Sequence, residues 1–238
     1  MKAKKWGAVV LAACLLGGVG VVSADSWSDL GTYLKEEKTW MPEKLTGDSI
    51  AIAAADLDRD GTTELLVAEF NSADFATETK IYRPKGKDIE GVKVIPIKED
   101  DGKNALKIDM TQTTLHAYKN PSDGTIWYVG IDLGKAYTNL FAFSLQGDEI
   151  FQRRPARYES RRDEGMPPVF YNEIGDVITE SEYGEVEDKV FGEWEKLPAK
   201  LSWIVLSPTD LENWNAMTED QKRIRLFGSA EEFAHAKL

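Results

Sequence analysis

Thiols and imidazoles are almost absent from this chain. Its 238 residues hold one cysteine, Cys14, and two histidines, His116 and His235. If Cys14 leaves with a processed leader, no disulfide, cysteine nucleophile or thiolate metal site can exist in what remains. The histidines fall in separate segments, a predicted strand and the last predicted helix, where a lone imidazole is more often structural or solvated than a ligand or base. Neither a G-x-S-x-G nucleophile elbow nor an H-E-x-x-H zinc helix occurs. Positive charge is scarce too, with 29 Lys and Arg against 41 Asp and Glu and a net charge of −12. Such a surface repels nucleic acid and anionic membranes and suits cations, although it also serves solubility alone. Low-complexity tracts are missing, and 42% apolar residues with seven tryptophans supply a sizeable core.

Acids are missing altogether from residues 1–24. Lys2, Lys4 and Lys5 form a basic start, WGAVVLAACLLGGVGVV an apolar run, and VSA, ending at Ala24, a small-residue processing site. These are the three parts of an export signal peptide. The run is just long enough for a spanning helix, which needs about 20 apolar residues, yet four glycines interrupt it and it ends on the processing triplet. Removal after Ala24 is therefore expected. It takes three lysines away, so 29 basic residues become 26 against 41 acidic ones, a charge of −15. LAAC, Leu11 to Cys14, resembles the lipobox of bacterial lipoproteins, whose cysteine becomes a lipidated first residue. On that alternative Cys14 anchors the chain, but the sequence stays apolar for another eight residues beyond it. Either route leads out of the cytoplasm, to the periplasm, cell surface or medium, with no membrane span after signal removal.

One stretch concentrates the acids. AADLDRDGTTELLVAEF, residues 54–70, sets Asp56, Asp58 and Asp60 at alternate positions, followed by Gly61 and then Glu64. Carboxylates crowded this closely repel one another. A hard divalent cation relieves the repulsion by accepting oxygen ligands, at about 2.3–2.6 Å for calcium. Aspartate suits a tight curl because its oxygens lie close to the backbone, and Gly61 supplies the angles for reversing the chain around an ion. Thr62, seventh from Asp56, is placed to turn its carbonyl inward, and Glu64, ninth, to close the shell. Without an ion the same pattern makes an Asx-rich turn, whose side chains bond their own backbone. Calcium is favoured over magnesium because a flexible all-oxygen cage suits it and exported proteins meet calcium at concentrations that fill weak sites.

The flanks decide the kind of loop. SIAIAAA before it and ELLVAEF after it read as strands, and the twelfth position is Val67 rather than the glutamate of an EF-hand. D-x-D-x-D-G-x-x-E-L between two strands resembles the calcium-binding β-hairpin loop of FG-GAP and VCBS-type repeats, found in integrin-like β-propellers and many bacterial surface proteins. The resemblance covers residues 49–70 closely and the next strand, TKIYRP, loosely. It implies Asp56, Asp58, Asp60, the Thr62 carbonyl and Glu64 as ligands of one calcium ion. Propellers repeat the motif blade after blade, whereas this chain has one full copy. GIDLGKAYTNLFAF, Gly130 to Phe143, keeps only Asp132 and Asn139 in related places, so a single hairpin module is expected.

Elsewhere the texture alternates between helix and strand. DSWSDLGTYLKEEKTW puts Trp27, Leu30, Tyr33 and Leu34 on one helical face before Pro42. LKIDM alternates with period two. TTLHAYK and TIWYVGI flank an NPSDG turn, and NLFAFSLQ and EIFQRR flank Gly147-Asp148, so two antiparallel hairpins are predicted. Thr179 with Glu182 reads as a capping box ahead of a helical stripe of Tyr183, Val186, Val190, Trp194 and Leu197. LSWIVLS reads as a strand. Ser207-Pro208, Thr218 with Gln221, and Ser229 with Glu232 read as three helix starts. The expected class is α+β: an antiparallel sheet or meander of propeller-blade-like hairpins with an N-terminal helix and C-terminal helices. Its divisions are a signal peptide (1–24), a β-rich domain with the calcium loop (25–207) and a helical segment packed on it (208–238).

Other motifs carry less. GIDLG is similar to the first phosphate motif of actin-like and Hsp70-type ATPases, but Lys135-Ala136 replaces the threonine pair and the two large lobes cannot fit in the remaining chain. The Walker spacing is one residue short and Ala136 lacks the hydroxyl. Glu99-Asp100-Asp101 offers acid pairs of glycosidase type, which a chain with 41 acids contains by coincidence. RRPARYESRR, Arg153 to Arg162, reads as a solvated loop or as a patch for an acidic partner. Tyr158, Phe170 and Tyr171 beside it are core residues or a glycan or protein contact. The functional expectation is an exported calcium-binding module, rather than an enzyme, for protein or glycan interaction at the cell envelope. An extracytoplasmic hydrolase with a structural calcium is the alternative.

Overall fold

A computed structural model describes residues 24–45, 47–71, 76–97, 106–108, 115–133 and 137–236. The leader with its LAAC motif, the acids at 99–101 and Gly134, Lys135 and Ala136 lie outside them. Five strands form a first antiparallel sheet: β1 (Ser49–Ala55), β2 (Glu64–Phe70), β3 (Ala76–Lys85), β4 (Asp88–Gly91) and β13 (Ile204–Leu206), in the order β13-β1-β2-β3-β4. The second sheet contains β6 (His116–Lys119), β7 (Ile126–Leu133), β8 (Tyr137–Gln146), β9 (Glu149–Glu159), β10 (Val169–Asn172), β11 (Val177–Ile178) and β12 (Glu195–Leu197). Its order is β11-β10-β9-β8-β7-β6-β12, and β5 (Lys93–Val94) adds a short parallel pairing to β9. The expected α+β class is therefore met.

The first sheet is the middle layer, which explains why β1 and β2 are apolar without alternation. A strand's side chains leave by opposite faces at successive residues, and here both faces are covered. Ile50, Ile52, Ala54, Leu65 and Val67 pack with Leu30, Tyr33, Trp40, Trp214 and Leu226 of the helices. Ala53, Ala55 and Leu66 pack with Tyr128, Phe141, Phe143 and Ile150 of the second sheet. Small alanines let the layers approach closely on one strand.

Helix α1 (Ala24–Lys35) buries Leu30, Tyr33 and Leu34 as its spacing predicts. Trp27 stays 38% exposed, with Phe227 against its ring edge and the Arg223 guanidinium over it. The predicted single helix is interrupted at Glu36, and α2 (Glu37–Trp40) follows. At the other end α5 (Pro208–Ala216) and α6 (Glu219–Ala234) start on capping boxes, Ser207 with Asp210 and Thr218 with Gln221.

Ser229 starts no helix. It is a buried residue inside α6, where its hydroxyl accepts the Ala54 N–H (3.1 Å) and donates to the Ser202 carbonyl (2.6 Å). The hydroxyl that reads as a local cap instead satisfies two backbone groups near the β1–β13 seam. The stripe after Thr179 also divides, into α3 (Glu180–Gly184) and α4 (Val186–Phe191), with Trp194 in a turn and Leu197 on β12. Gly184 and Gly192 weaken a continuous helix by about 1 kcal/mol each, and the edge of β6 takes residues 195–197 as a strand partner.

Both predicted hairpins form, β6–β7 and β8–β9. Gly147 turns the second at φ 60. Leu106 and Ile108 are buried as the LKIDM alternation requires, but they are held to β3 through Thr79 rather than in a ladder; Asp109 and Met110 lie outside the described residues. The basic cluster is largely strand, not loop. Arg153 on β9 makes a two-pronged pair with Glu173 at 2.9 and 2.8 Å, and Arg157 lies over Tyr171. Tyr158, Phe170 and Tyr183 pack as half-buried rings. Among the described residues no helix is long and apolar enough to cross a membrane.

Ser229→Ala should lower folding stability by about 1–3 kcal/mol, because it strips partners from buried backbone groups. Urea unfolding of the two proteins measures it, and an unchanged midpoint would show that water replaces the hydroxyl.

Candidate metal centre

The acidic loop joins β1 to β2, and Ala55 pairs with Glu64 as the last rung below it. The chain reverses through two left-handed residues, Arg59 (φ 58) and Gly61 (φ 94). Only Gly61 adopts that conformation without steric cost; Arg59 is held there by its guanidinium, which donates to the Pro198 carbonyl at 2.6 Å. The carboxylates bond the loop's own backbone. Asp56 Oδ2 accepts from the Gly61 N–H (3.1 Å), Asp58 Oδ1 from Asp60 (3.4 Å) and Asp60 Oδ1 from Thr62 (2.7 Å). Glu64 Oε2 accepts the Leu57 N–H at 2.8 Å. The Asx-turn bonding is thus present in the chain as it stands.

Neighbouring elements fix the loop from outside. The Tyr128 hydroxyl on β7 donates to the Leu57 carbonyl (2.6 Å). Asp29 on α1 accepts the Thr63 N–H (3.0 Å), and the Tyr33 hydroxyl lies 2.8 Å from the carbonyls of both Thr63 and Tyr82.

Three of the five residues implicated by sequence converge. Asp56, Asp58 and Glu64 each offer an oxygen within 4.8 Å of the others. Two oxygens on opposite sides of one calcium lie about 4.8 Å apart, twice a bond of about 2.4 Å, so the cluster has the dimensions of one coordination shell. Asp60 is drawn aside: its Oδ2 takes Arg83 Nη2 at 2.5 Å. Thr62 is fixed through its N–H on Asp60.

Two oxygens mark the interior of the cluster. Asp56 Oδ1 and Glu64 Oε1 are shut off from solvent and receive no hydrogen bond, and Glu64 has no exposed surface at all. Leaving such an acceptor unfilled costs about 1–3 kcal/mol. Both are hard oxygens, the donor type that calcium or magnesium takes. The residues therefore fit a hard divalent ion.

Burial raises the Glu64 carboxyl to about 9; the Leu57 N–H and Arg83 pull it down, while Asp58 and Asp56 push it further up. Burial also lifts Asp56 to about 6, against the Gly61 N–H and with help from Asp58 and Asp60. Asp58 is raised by burial in spite of Arg83. For Asp60, burial is outweighed by bonds from Thr62 and by Arg83, and its carboxyl falls below the ordinary range. Burial thus favours the neutral forms of Glu64 and Asp56.

Arg83 is the residue that sequence reasoning missed. Its Nη2 lies 3.1 Å from Asp58 Oδ2 and its Nε 3.3 Å from Glu64 Oε1. The second contact lacks hydrogen-bond geometry, so Glu64 Oε1 has charge compensation but no donor. The signal lay in TKIYRP, because the Leu66–Ile81 and Leu65–Tyr82 pairings carry Arg83 opposite Glu64 once register is known.

No protein-family model, no curated protein and no solved structure matches this chain.

In chelator, the two raised carboxyls should make the protein lose stability as pH rises. Their folded-state pKa values exceed the unfolded ones, so the contribution is complete below the ordinary value of 4.5 for Glu64 and gone above about 9. Thermal melts across that range check it. Glu64→Gln should flatten the slope, and a wild-type profile that climbs with pH from 5 to 8 contradicts the assignment.

Proposed function

We propose that the protein is an exported, calcium-binding, β-rich module that acts by binding a protein or glycan partner at the cell envelope. One observation carries the reading: three carboxylates meet within a calcium-sized sphere at the tip of a hairpin, and the wholly buried Glu64 presents an oxygen there without a donor. In this reading Asp56, Asp58 and Glu64 supply side-chain ligands, with Asp60 and the Thr62 carbonyl completing the shell on ion entry as the FG-GAP-type resemblance implies. The ion neutralises the loop and stiffens the hairpin. Its chemistry is structural, with no substrate required at the metal. The basic start and small-residue site of residues 1–24 support export, where calcium is plentiful.

The hydrolase reading has one observation of its own. A groove of about 180 Å³ is lined by Trp40, Tyr82, Lys38, Glu69 and Glu78 and by none of the loop carboxylates. Glu69 and Glu78 stand opposite each other in the β2–β3 ladder, and glycosidases work through a pair of carboxylates. Lys80 lies 3.4 Å from Glu78 and occupies that carboxylate, which favours the binding module.

Calcium should raise the melting temperature of the wild type above its value in chelator, since a ligand bound only by the folded state stabilises it. Asp58→Ala should abolish the difference. Identical melting of the wild type in calcium and chelator would sink the proposal. Mass spectrometry of the exported chain should find Asp25 as its first residue; a lipidated Cys14 would establish the anchored form.

A further inference from the structure

Building on the cation-binding reading, we propose that Arg83 is a resident counter-cation that sets the affinity of the carboxylate site and links its occupancy to the β8–β9 turn. The guanidinium touches three of the four carboxylates, Asp58 at 3.1 Å, Asp60 at 2.5 Å and Glu64 at 3.3 Å. Its remaining nitrogen, Nη1, donates to the Gly147 carbonyl at 2.9 Å. One side chain therefore ties the loop of the first sheet to a turn of the second.

Asp58 and Glu64 are claimed both by Arg83 and by the proposed ion. Two cations sharing ligands a few ångström apart repel, more strongly in a half-buried site than in water. Entry of the ion weakens the grip of Arg83 on Asp58 and Glu64, which already face inward, and frees Asp60 to turn toward them. With every carboxylate ionised, as ion binding requires, four carboxylates and one guanidinium carry −3, and a divalent ion leaves −1. Without Arg83 the same site starts at −4 and attracts the ion harder. Arg83 thus exchanges tight binding for a loop that is already shaped when empty. The displaced guanidinium alters its bond to the Gly147 carbonyl, which passes the state of the loop to the second sheet.

The test is calorimetric titration of the full mature chain with calcium chloride, for wild type, Arg83→Met and Arg83→Lys. Arg83→Met should bind calcium at least tenfold more tightly, and Arg83→Lys, which keeps the charge, should stay within about threefold of wild type. In chelator Arg83→Met should melt below wild type, and calcium should restore it. Equal or weaker calcium binding by a folded Arg83→Met overturns the affinity role. Should that variant fail to fold, wild-type NMR decides: calcium must shift the Arg83 side-chain resonances and the Asp148 amide, whose peptide group carries the Gly147 carbonyl, and unmoved signals overturn the link. A wild type that takes up no calcium, with normal folding, overturns the cation-binding reading itself.

Discussion

Burial of the Glu64 carboxylate is the constraint around which the rest is arranged. The residue opens β2, a strand hidden on both faces, and it has no exposed surface. A charge there needs compensation, and three forms are at hand: a proton, the Arg83 guanidinium and a divalent ion. Each neutralises the same oxygens, and they exclude one another in part. The hairpin tip is therefore best seen as a place where positive charge of some kind must reside.

The same logic appears at the other end of the helical layer. Glu37 on α2 receives Lys222 Nζ at 2.8 Å on both oxygens and the Trp214 indole N–H at 2.5 Å. Lys222 is itself buried. In an acidic chain with few bases, each of these acids, Glu64 fully and Glu37 partly buried, draws a cation from another element, and the contact locks separate elements together. At Glu37 the partners are helices, and the pair seals α2 against α5 and α6. At Glu64 the partner is a strand, and the arrangement stays open to a further cation because Asp56 Oδ1 and Glu64 Oε1 remain without donors.

Local signals were legible where one residue acts on its near neighbours. β1 and β2 coincide with SIAIAAA and ELLVAEF, since two apolar runs around an Asp-Gly turn leave few alternatives. The capping boxes at Thr179, Ser207 and Thr218 formed for the same reason. Signals failed where a distant element competed. Ser229 has the composition of a helix start, but its hydroxyl is taken by Ala54 and Ser202. The stripe from Tyr183 to Leu197 has helical spacing, but β6 claims its end. RRPARYESRR, Arg153 to Arg162, reads as a solvated loop until Glu173 and Tyr171 are placed beside it.

The sequence alone determined the curl of residues 56–64, because the spacing of short carboxylates and the position of Gly61 are local facts about backbone geometry. It also determined that this curl joins two buried strands, because period and composition encode burial directly. Tertiary structure alone decided which carboxylates face inward and which cation meets them. Asp60 and Asp58 look equivalent in the chain, yet Arg83 pulls one aside while the other joins Asp56 and Glu64. That choice rests on strand register, and register is set by the packing of three layers, which no local pattern records.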